Sequence, residues 1–199
     1  MKSRLSTIVF LLVSLASYAQ KSFFDQPAFI ISVYNHSVGI PFKDYVKTPL
    51  NFGFALGVEF SYPGKSYGKQ FQKVEVGFYH HQNLHSALWV KTDFIRRFIT
   101  DDGLFGEVQF GMGYMREYNA YQTFELTTDG TYKSKDRSST GAFLAGTGIG
   151  GGYQFNVADK YNIAPFLKYE GLLQLPYSKL QPFFPHTLIH LGSRFQFID

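Results

Sequence analysis

The sequence predicts an all-β chain: an eight-stranded antiparallel up-and-down transmembrane β-barrel. Three observations predict it. Apolar and small or polar residues alternate without a break over residues 51–62, similar alternation recurs in eight segments, and the chain opens with an export-like segment. Because successive side chains of a strand point to opposite faces, this alternation gives each strand one apolar and one polar face.

The N-terminal segment, residues 1–19, has the organisation of a secretory signal peptide. Lys2 and Arg4 precede an apolar run at residues 8–13, and residues 17–19 offer small side chains for cleavage. The apolar run is too short to span a bilayer as a helix. We therefore expect an exported protein with one mature domain, residues 20–199.

Composition restricts the chemistry. The 199 residues include no cysteine, which excludes disulfides, thiolate metal sites and a lipid-modified N-terminal cysteine. The chain holds 22 Phe and 14 Tyr, a content that suits a surface in lipid and at its interfaces. No basic run suits nucleic acid, so we expect no nucleic-acid partner, and we expect no cofactor.

Eight strands are predicted in order along the chain. Their approximate bounds are residues 28–39, 51–62, 71–81, 87–98, 104–118, 141–155, 161–173 and 187–197. The connections after the second, fourth and sixth strands are compact, and those after the first, fifth and seventh are longer, with residues 82–86 as a short exception. Bacterial outer-membrane barrels have this parity of short periplasmic turns and longer outer loops. Alternation is least regular at Ile30–Ile31 and at Ile95–Arg96.

Alternation alone does not say which face is inside, because a soluble ligand-binding barrel has the same period with its apolar face inward. Volume separates the two arrangements, since eight strands enclose barely enough room for their own side chains and the large apolar residues would overfill it. Glycine on the polar face favours the same conclusion, because glycine packs poorly on a solvated strand but suits a crowded lumen. We therefore expect the polar face inside and the apolar face against lipid.

The lumen is predicted to hold a balanced set of charges. Charges removed from water must be paired, so we expect an ion-paired network that closes the barrel; a narrow ion path is the alternative. The predicted network consists of Glu59, Lys73, Glu75, Lys91, Asp93, Arg97, Glu107, Lys168, Glu170 and Arg194.

These features, with a closing strand at residues 188–197 that carries Phe197, give the chain a family resemblance. It resembles the small eight-stranded outer-membrane β-barrel proteins of Gram-negative bacteria over essentially the whole mature chain. In that superfamily the last strand usually ends in Phe, whereas Ile198 and Asp199 follow here. The resemblance implies an outer-membrane location, contact with outer-membrane lipid and lipopolysaccharide, and assembly by the barrel assembly machinery. It carries no catalytic motif.

All six histidines fall at the predicted outer end, and His36, His81 and His190 are expected to point inward near the outer rim. Imidazoles there could bind a metal or titrate near neutral pH. They lack the spacing of a metal motif, so we expect no metal and interpret them as polar fillers of the mouth or contacts to lipopolysaccharide.

Some barrels that this chain resembles are lipid hydrolases, and the lipid A deacylase type uses a His and a Ser two apart on one strand. Here the pairs His36-Ser37 and His85-Ser86 are adjacent, so their side chains point to opposite faces. Such an enzyme, with a dyad assembled across strands, is the first alternative function. A soluble lipocalin-like periplasmic binding barrel is the second.

The longest outer connection is the preferred functional segment. Asp129-Gly130 lies between strand-like runs, which predicts a protruding hairpin whose exposed edges could pair with a surface protein. The predicted partner-binding residues are Tyr121, Phe124, Asp129, Gly130 and Tyr132. The sequence thus favours a non-catalytic barrel that acts in surface interaction or envelope integrity through its outer loops.

Overall fold

The computed structural model describes residues 26–39, 50–63, 68–81, 85–119, 123–135, 139–157, 160–176 and 182–197. The predicted signal peptide, Tyr121 and most of the first outer connection lie outside the described residues. No helix in the described ranges is long and apolar enough to cross a bilayer.

The described chain consists of eleven strands in two antiparallel sheets. In chain order they are β1 (Ala28–Val38), β2 (Phe52–Ser61), β3 (Lys69–His80), β4 (His85–Ile99), β5 (Leu104–Asn119), β6 (Thr123–Leu126), β7 (Tyr132–Lys135), β8 (Ser139–Tyr153), β9 (Phe155–Val157), β10 (Tyr161–Leu175) and β11 (Phe184–Phe197).

The larger sheet closes on itself, because β1 pairs with β11 as well as with β2. β8 and β9 share one register against β10, so together they form a single strand of the wall. The barrel is therefore eight-stranded, with β8 and β9 counted as one strand, which confirms the predicted fold class. Within the described residues, closure leaves the larger sheet without an edge strand, as a lipid environment requires.

Several strands extend beyond their predicted ends. β4 begins at His85 and β11 at Phe184, so the outer connections are shorter than predicted. The predicted sixth strand is interrupted at Gln154, whose backbone N–H donates to the Gly103 carbonyl at 2.8 Å. Exact ends follow from pairing partners, which a single strand's pattern does not specify.

The apolar face of the barrel is outside. On β5, Phe110 and Met112 are 59% and 61% exposed, whereas Glu107 and Gln109 are 6% and 4% exposed. Charged residues inside and apolar residues outside are the reverse of a soluble ligand-binding barrel, whose cavity is apolar. The irregular Ile95 lies inside the barrel at 1% exposed.

Glycines on the inner face make room for large aromatic side chains. A Cβ atom at Gly77 would collide with the indole ring of Trp89, and one at Gly53 would collide with the phenol ring of Tyr34. The crowded lumen thus explains why glycine alternates with large apolar residues along β2 and β3.

The second sheet is the hairpin of β6 and β7, as the Asp-Gly motif predicted. Thr123 pairs with Lys135 and Leu126 with Tyr132, and neither strand pairs with the barrel within the described residues. The turn is held by the Thr127 N–H on the Thr131 carbonyl at 2.9 Å, with Gly130 at a φ of +80°. The Thr131 hydroxyl donates to Asp129 at 3.1 Å and lowers the pKa of that carboxyl below its usual value.

Candidate functional sites in the lumen and at the outer rim

We call the end with the compact turns the periplasmic end and the opposite end the outer end, following the parity of loop lengths in bacterial barrels. All ten charged residues predicted for the lumen lie inside the barrel and are buried. They form two groups at different depths, an arginine layer near the periplasmic end and a lysine layer at the centre.

The arginine layer is built on one bidentate contact, between Arg97 and Glu59, and on single contacts to Glu107 and from Arg194. The Arg97 guanidinium donates from Nη1 and Nη2 to the two oxygens of Glu59, at 2.9 and 2.7 Å, and from Nε to Glu107 at 2.7 Å. Arg194 lies 3.3 Å from Glu59 and 3.2 Å from Glu107. The Phe71 ring stacks against the Arg97 guanidinium at 4.2 Å. Two carboxylates therefore neutralise two guanidinium groups in one connected network of ion pairs.

The lysine layer links three strands, β3, β4 and β10. Lys73 lies 3.0 Å from both Glu75 and Asp93, and Lys91 lies 3.2 Å from Asp93. Glu170 completes the layer through close contacts with Lys91 and with Lys168, the latter at 3.1 Å. Three acids thus face three bases. Lys73–Glu75, Lys91–Asp93 and Lys168–Glu170 are pairs within one strand, whereas Lys73–Asp93 and Lys91–Glu170 join different strands.

An aromatic layer fills the outer half of the lumen, a feature that the sequence analysis missed. Trp89 Nε1 donates to the Tyr34 hydroxyl at 2.9 Å, and both rings are buried. The apolar side chains packed with them are Ala55, Tyr79, Ala87, Met115, Leu144, Leu172 and Leu188. The alternation did contain this information, because Trp89 is in phase with Lys91 and Asp93 on β4.

Cavities in the described structure show how far the lumen is closed. The aromatic layer leaves a void of only about 10 Å³ beside Trp89 and Met115. At the periplasmic end a vestibule of about 460 Å³ stops at Arg97 and Arg194. The ion pairs of the lumen lie between the two spaces.

The outer rim contains a histidine group different from the predicted one. His36 Nε2 and His186 Nδ1 are 2.9 Å apart, and His186 Nε2 lies 2.9 Å from Gln174 Oε1. His81 is also buried at the rim, and burial lowers its pKa below the usual value. No group of three or more His, Cys, Asp or Glu side chains among the described residues is arranged to hold a metal ion.

Two further rim residues were missed. His85 faces inward, and its Nε2 lies 2.8 Å from the Tyr79 hydroxyl and 3.1 Å from Glu117 Oε1. Glu117 is in phase with Glu107 on β5, so the alternation places it on the inner face. The three histidines predicted to point inward at the rim therefore did not include His85, and Glu117 was not predicted there either.

His190 was predicted at the rim but lies deeper. Its Nε2 is 3.2 Å from Glu170 and its Nδ1 is 3.3 Å from the Ser32 hydroxyl. A Ser, a His and a Glu in series are the parts of a nucleophilic triad. Ser32 is 2% exposed and His190 is fully buried, so a substrate has no access to them. We interpret the series as part of the lysine layer.

An exposed Ser–His contact lies on the outside of the barrel instead. His80 Nδ1 and Ser86 Oγ are 2.8 Å apart, at the outer ends of β3 and β4. The adjacent pairs in sequence, His36-Ser37 and His85-Ser86, do not form this contact. Register across the β3–β4 hairpin creates it. His36 and His81, which were predicted to point inward at the rim, are buried and do not reach the outer surface.

Comparison with known proteins gives the fold. No protein-family profile matches the chain, and no curated protein matches it. The chain resembles the crystal structure of Neisserial surface protein A (NspA), with 10% identity and a TM-score of 0.51 over 86% of this chain and 96% of that one. The fold is that of the small outer-membrane β-barrels.

Weaker likenesses include the N-terminal barrel domain of Pseudomonas aeruginosa OprF and the outer membrane enzyme PagL. OprF shows 15% identity and a TM-score of 0.44 over 85% of this chain and 97% of that one. PagL shows 13% identity and a TM-score of 0.43 over 85% and 98%. Identities this low concern the fold and not the activity, and the group includes an enzyme.

Proposed function

We propose that the chain is exported to the outer membrane, where it acts as a non-catalytic barrel in surface interaction or envelope integrity through its outer hairpin. The observation that carries the proposal is the separate two-stranded sheet of β6 and β7 above a filled barrel. Unpaired strand edges are templates for an added strand.

The outward surface supports the location. Large apolar side chains such as Phe54, Phe110 and Leu191 are half or more exposed around the barrel, and only a lipid environment covers such a surface. The filled lumen argues against transport as the main role, because the vestibule ends at the arginine layer.

The hairpin hypothesis is tested by blocking its edges. Because Thr127 donates to Thr131 inside the hairpin, alternation along the antiparallel pair directs the backbone N–H groups of Leu126 and Ser134 outward. Proline at Leu126 and at Ser134 removes one outward N–H from each strand, so pairing with a partner strand should weaken. Cells that express the wild-type chain are compared with the proline variant for attachment to an immobilised extracellular matrix and for survival in bile salts. We expect cells with the proline variant to attach less to the matrix, or to survive less well in bile salts, than cells with the wild type.

The matched control is Thr128→Ala, which alters an exposed turn residue outside the predicted partner-binding set and leaves both strand edges unchanged. Surface exposure of each variant is checked by protease accessibility of whole cells. If the proline variant behaves as the wild type does while being equally exposed, the hairpin is not the interacting element.

The second candidate function is a lipid hydrolase, and the His80–Ser86 contact favours it. A histidine hydrogen-bonded to a serine can accept the serine proton as the oxygen attacks an ester, which forms an acyl-enzyme and releases the alcohol. Water then hydrolyses the acyl-enzyme. Within the described residues no carboxylate orients His80, so the dyad lacks the third group of a triad.

This alternative is tested by mass spectrometry of lipid A and phospholipids from cells that overexpress the chain. Loss of an acyl chain in the wild type, absent in Ser86→Ala and His80→Ala, would support hydrolysis. Ser32→Ala is the control, because the other Ser–His series is enclosed. Unchanged lipids in the wild type would exclude the hydrolase.

A further inference from the structure

The outer ends of four neighbouring strands carry one lateral row of polar side chains. His80 on β3 pairs in register with Ser86 on β4, Ser86 with Tyr118 on β5, and Tyr118 with Ser139 on β8. All four side chains belong to the outward faces of their strands. The register, which is a long-range property of the barrel, turns four residues distant in sequence into one continuous row.

Arg116 lies one step below this row, on the outward face of β5. Its Nε and Nη2 donate to the Ser139 hydroxyl, at 3.0 and 2.8 Å. No carboxylate of the described residues lies within ion-pair distance of its guanidinium, whereas both lumen arginines are paired with glutamates. A guanidinium that the described residues leave without a carboxylate partner is suited to a bidentate anion.

The surface immediately below the row is apolar. Leu88, Val90, Tyr114 and Phe143 continue β4, β5 and β8 away from the outer end and are about half or more exposed. Position 141, which faces Arg116 in register, is a glycine, and the Tyr114 hydroxyl occupies the space that a Cβ atom would need there. The Tyr114 hydroxyl thus lies over the residue that is opposite Arg116 on β8.

We propose that this row is a docking site for a phosphorylated lipid of the outer leaflet. The phosphate accepts hydrogen bonds from Arg116 and from the hydroxyls of Tyr114 and Tyr118, while the acyl chains lie along Leu88, Val90 and Phe143. Charge-assisted hydrogen bonds fix the headgroup, and apolar contact below it restricts the ligand to an amphiphile. The site is separate from the hairpin edges and does not require hydrolysis.

Binding is measured by native mass spectrometry of the full chain, expressed in a Gram-negative host and extracted in detergent. The probes are diphosphoryl lipid A, chemically dephosphorylated lipid A and inorganic phosphate. We expect the wild type to retain diphosphoryl lipid A, and Arg116→Gln to weaken retention by about tenfold, the size of one charge-assisted hydrogen bond. Millimolar inorganic phosphate should not displace the lipid, because it lacks the acyl chains.

The matched control is Arg96→Gln, since Arg96 is also on the outward face of the barrel but near the periplasmic end. It should retain diphosphoryl lipid A as the wild type does. Heat-modifiable migration on gels verifies that both variants are folded.

Three outcomes would overturn the proposal: equal retention by Arg116→Gln and Arg96→Gln, equal retention of dephosphorylated lipid A, or displacement by inorganic phosphate. The proline variant of the hairpin keeps lipid binding if the proposal holds. The outcome is therefore independent of the hairpin function proposed above.

Discussion

Arg97 shows how strongly single residues of the lumen depend on each other. Its guanidinium contacts two carboxylates, and Arg194 contacts the same two from the other side. Removing one member leaves an uncompensated charge that is largely buried at the inner end of the vestibule. Such a loss costs more than the pair itself contributes, because the remaining charge has already been desolvated.

Arg97→Met is expected to destabilise the barrel by about 3–5 kcal/mol, the usual cost of breaking a buried ion pair. Urea unfolding in lipid vesicles measures the change. Lys69→Met at the exposed periplasmic mouth is the control and should be nearly neutral. The double variant Arg97→Met with Glu59→Leu should recover part of the loss, because it restores the charge balance. Equal unfolding midpoints for Arg97→Met and Lys69→Met would contradict the pairing.

Glycine supplies the second test at the residue scale. A methyl group at Gly77 has no space beside the Trp89 ring, whereas a methyl group at Gly106 meets nothing within 4 Å. Gly77→Ala should therefore cost about 1–3 kcal/mol through overpacking, and Gly106→Ala should cost little. Urea unfolding of the two variants checks this difference. Equal free energies of unfolding for Gly77→Ala and Gly106→Ala would mean that the Trp89 ring can move to make room for the methyl group.

At the scale of one element, β5 combines three environments within sixteen residues. Its inner face carries Glu107 in the arginine layer, Met115 in the aromatic layer and Glu117 at the rim. Its outer face carries the apolar belt and then Arg116. A period of two allows one strand to serve the ion pairs and the lipid surface at once.

The belt of β5 gives the test at the scale of the element. Phe110→Arg should destabilise the membrane-inserted barrel by about 2–4 kcal/mol if the position lies near the bilayer midplane, because the guanidinium must leave water. Urea unfolding in vesicles measures the cost. Tyr132→Arg, on the exposed hairpin, should leave stability unchanged. A Phe110→Arg chain that folds in water without detergent would show that the faces are inverted.

At the scale of the whole molecule, closure makes the lumen a stack of layers. The vestibule, the arginine layer, the lysine layer and the aromatic layer follow one another from the periplasmic end to the outer end. An eight-stranded barrel leaves so little internal space that its own side chains fill it. The stack therefore predicts a membrane protein without a continuous aqueous path.

Planar-bilayer recording tests this. We expect the purified wild-type barrel to produce no discrete conductance steps, because both the ion pairs and the Trp89–Tyr34 contact cross the lumen. A sixteen-stranded porin in the same lipid is the positive control, since its lumen is an aqueous channel. Reproducible current steps from the wild type, absent when lipid alone is used, would show that ions pass through the charged and aromatic layers of the lumen.

The face of the barrel to which a side chain points was largely predictable from the sequence, whereas its neighbours on adjacent strands were not. The face of Lys73 or Phe110 follows from local alternation, and so did the placement of all ten lumen charges. The ion pair between Lys91 and Glu170 and the contact between His80 and Ser86 depend on register. The aromatic layer was missed for a different reason. Its large side chains were assigned to a face by their residue type, whereas their positions in the alternation place them on the inner, mostly polar face.

The sequence by itself determined the class of the fold, the strand count, and which face of the strands meets lipid, because a period of two and the volume of a small barrel are local or additive properties. Only the tertiary structure decided which charges meet, that His190 joins Glu170 in the lumen, and that Arg116 lies beside a polar row at the outer end. Those contacts arise when β1 pairs with β11 and the wall closes, since closure fixes every register around the barrel at once.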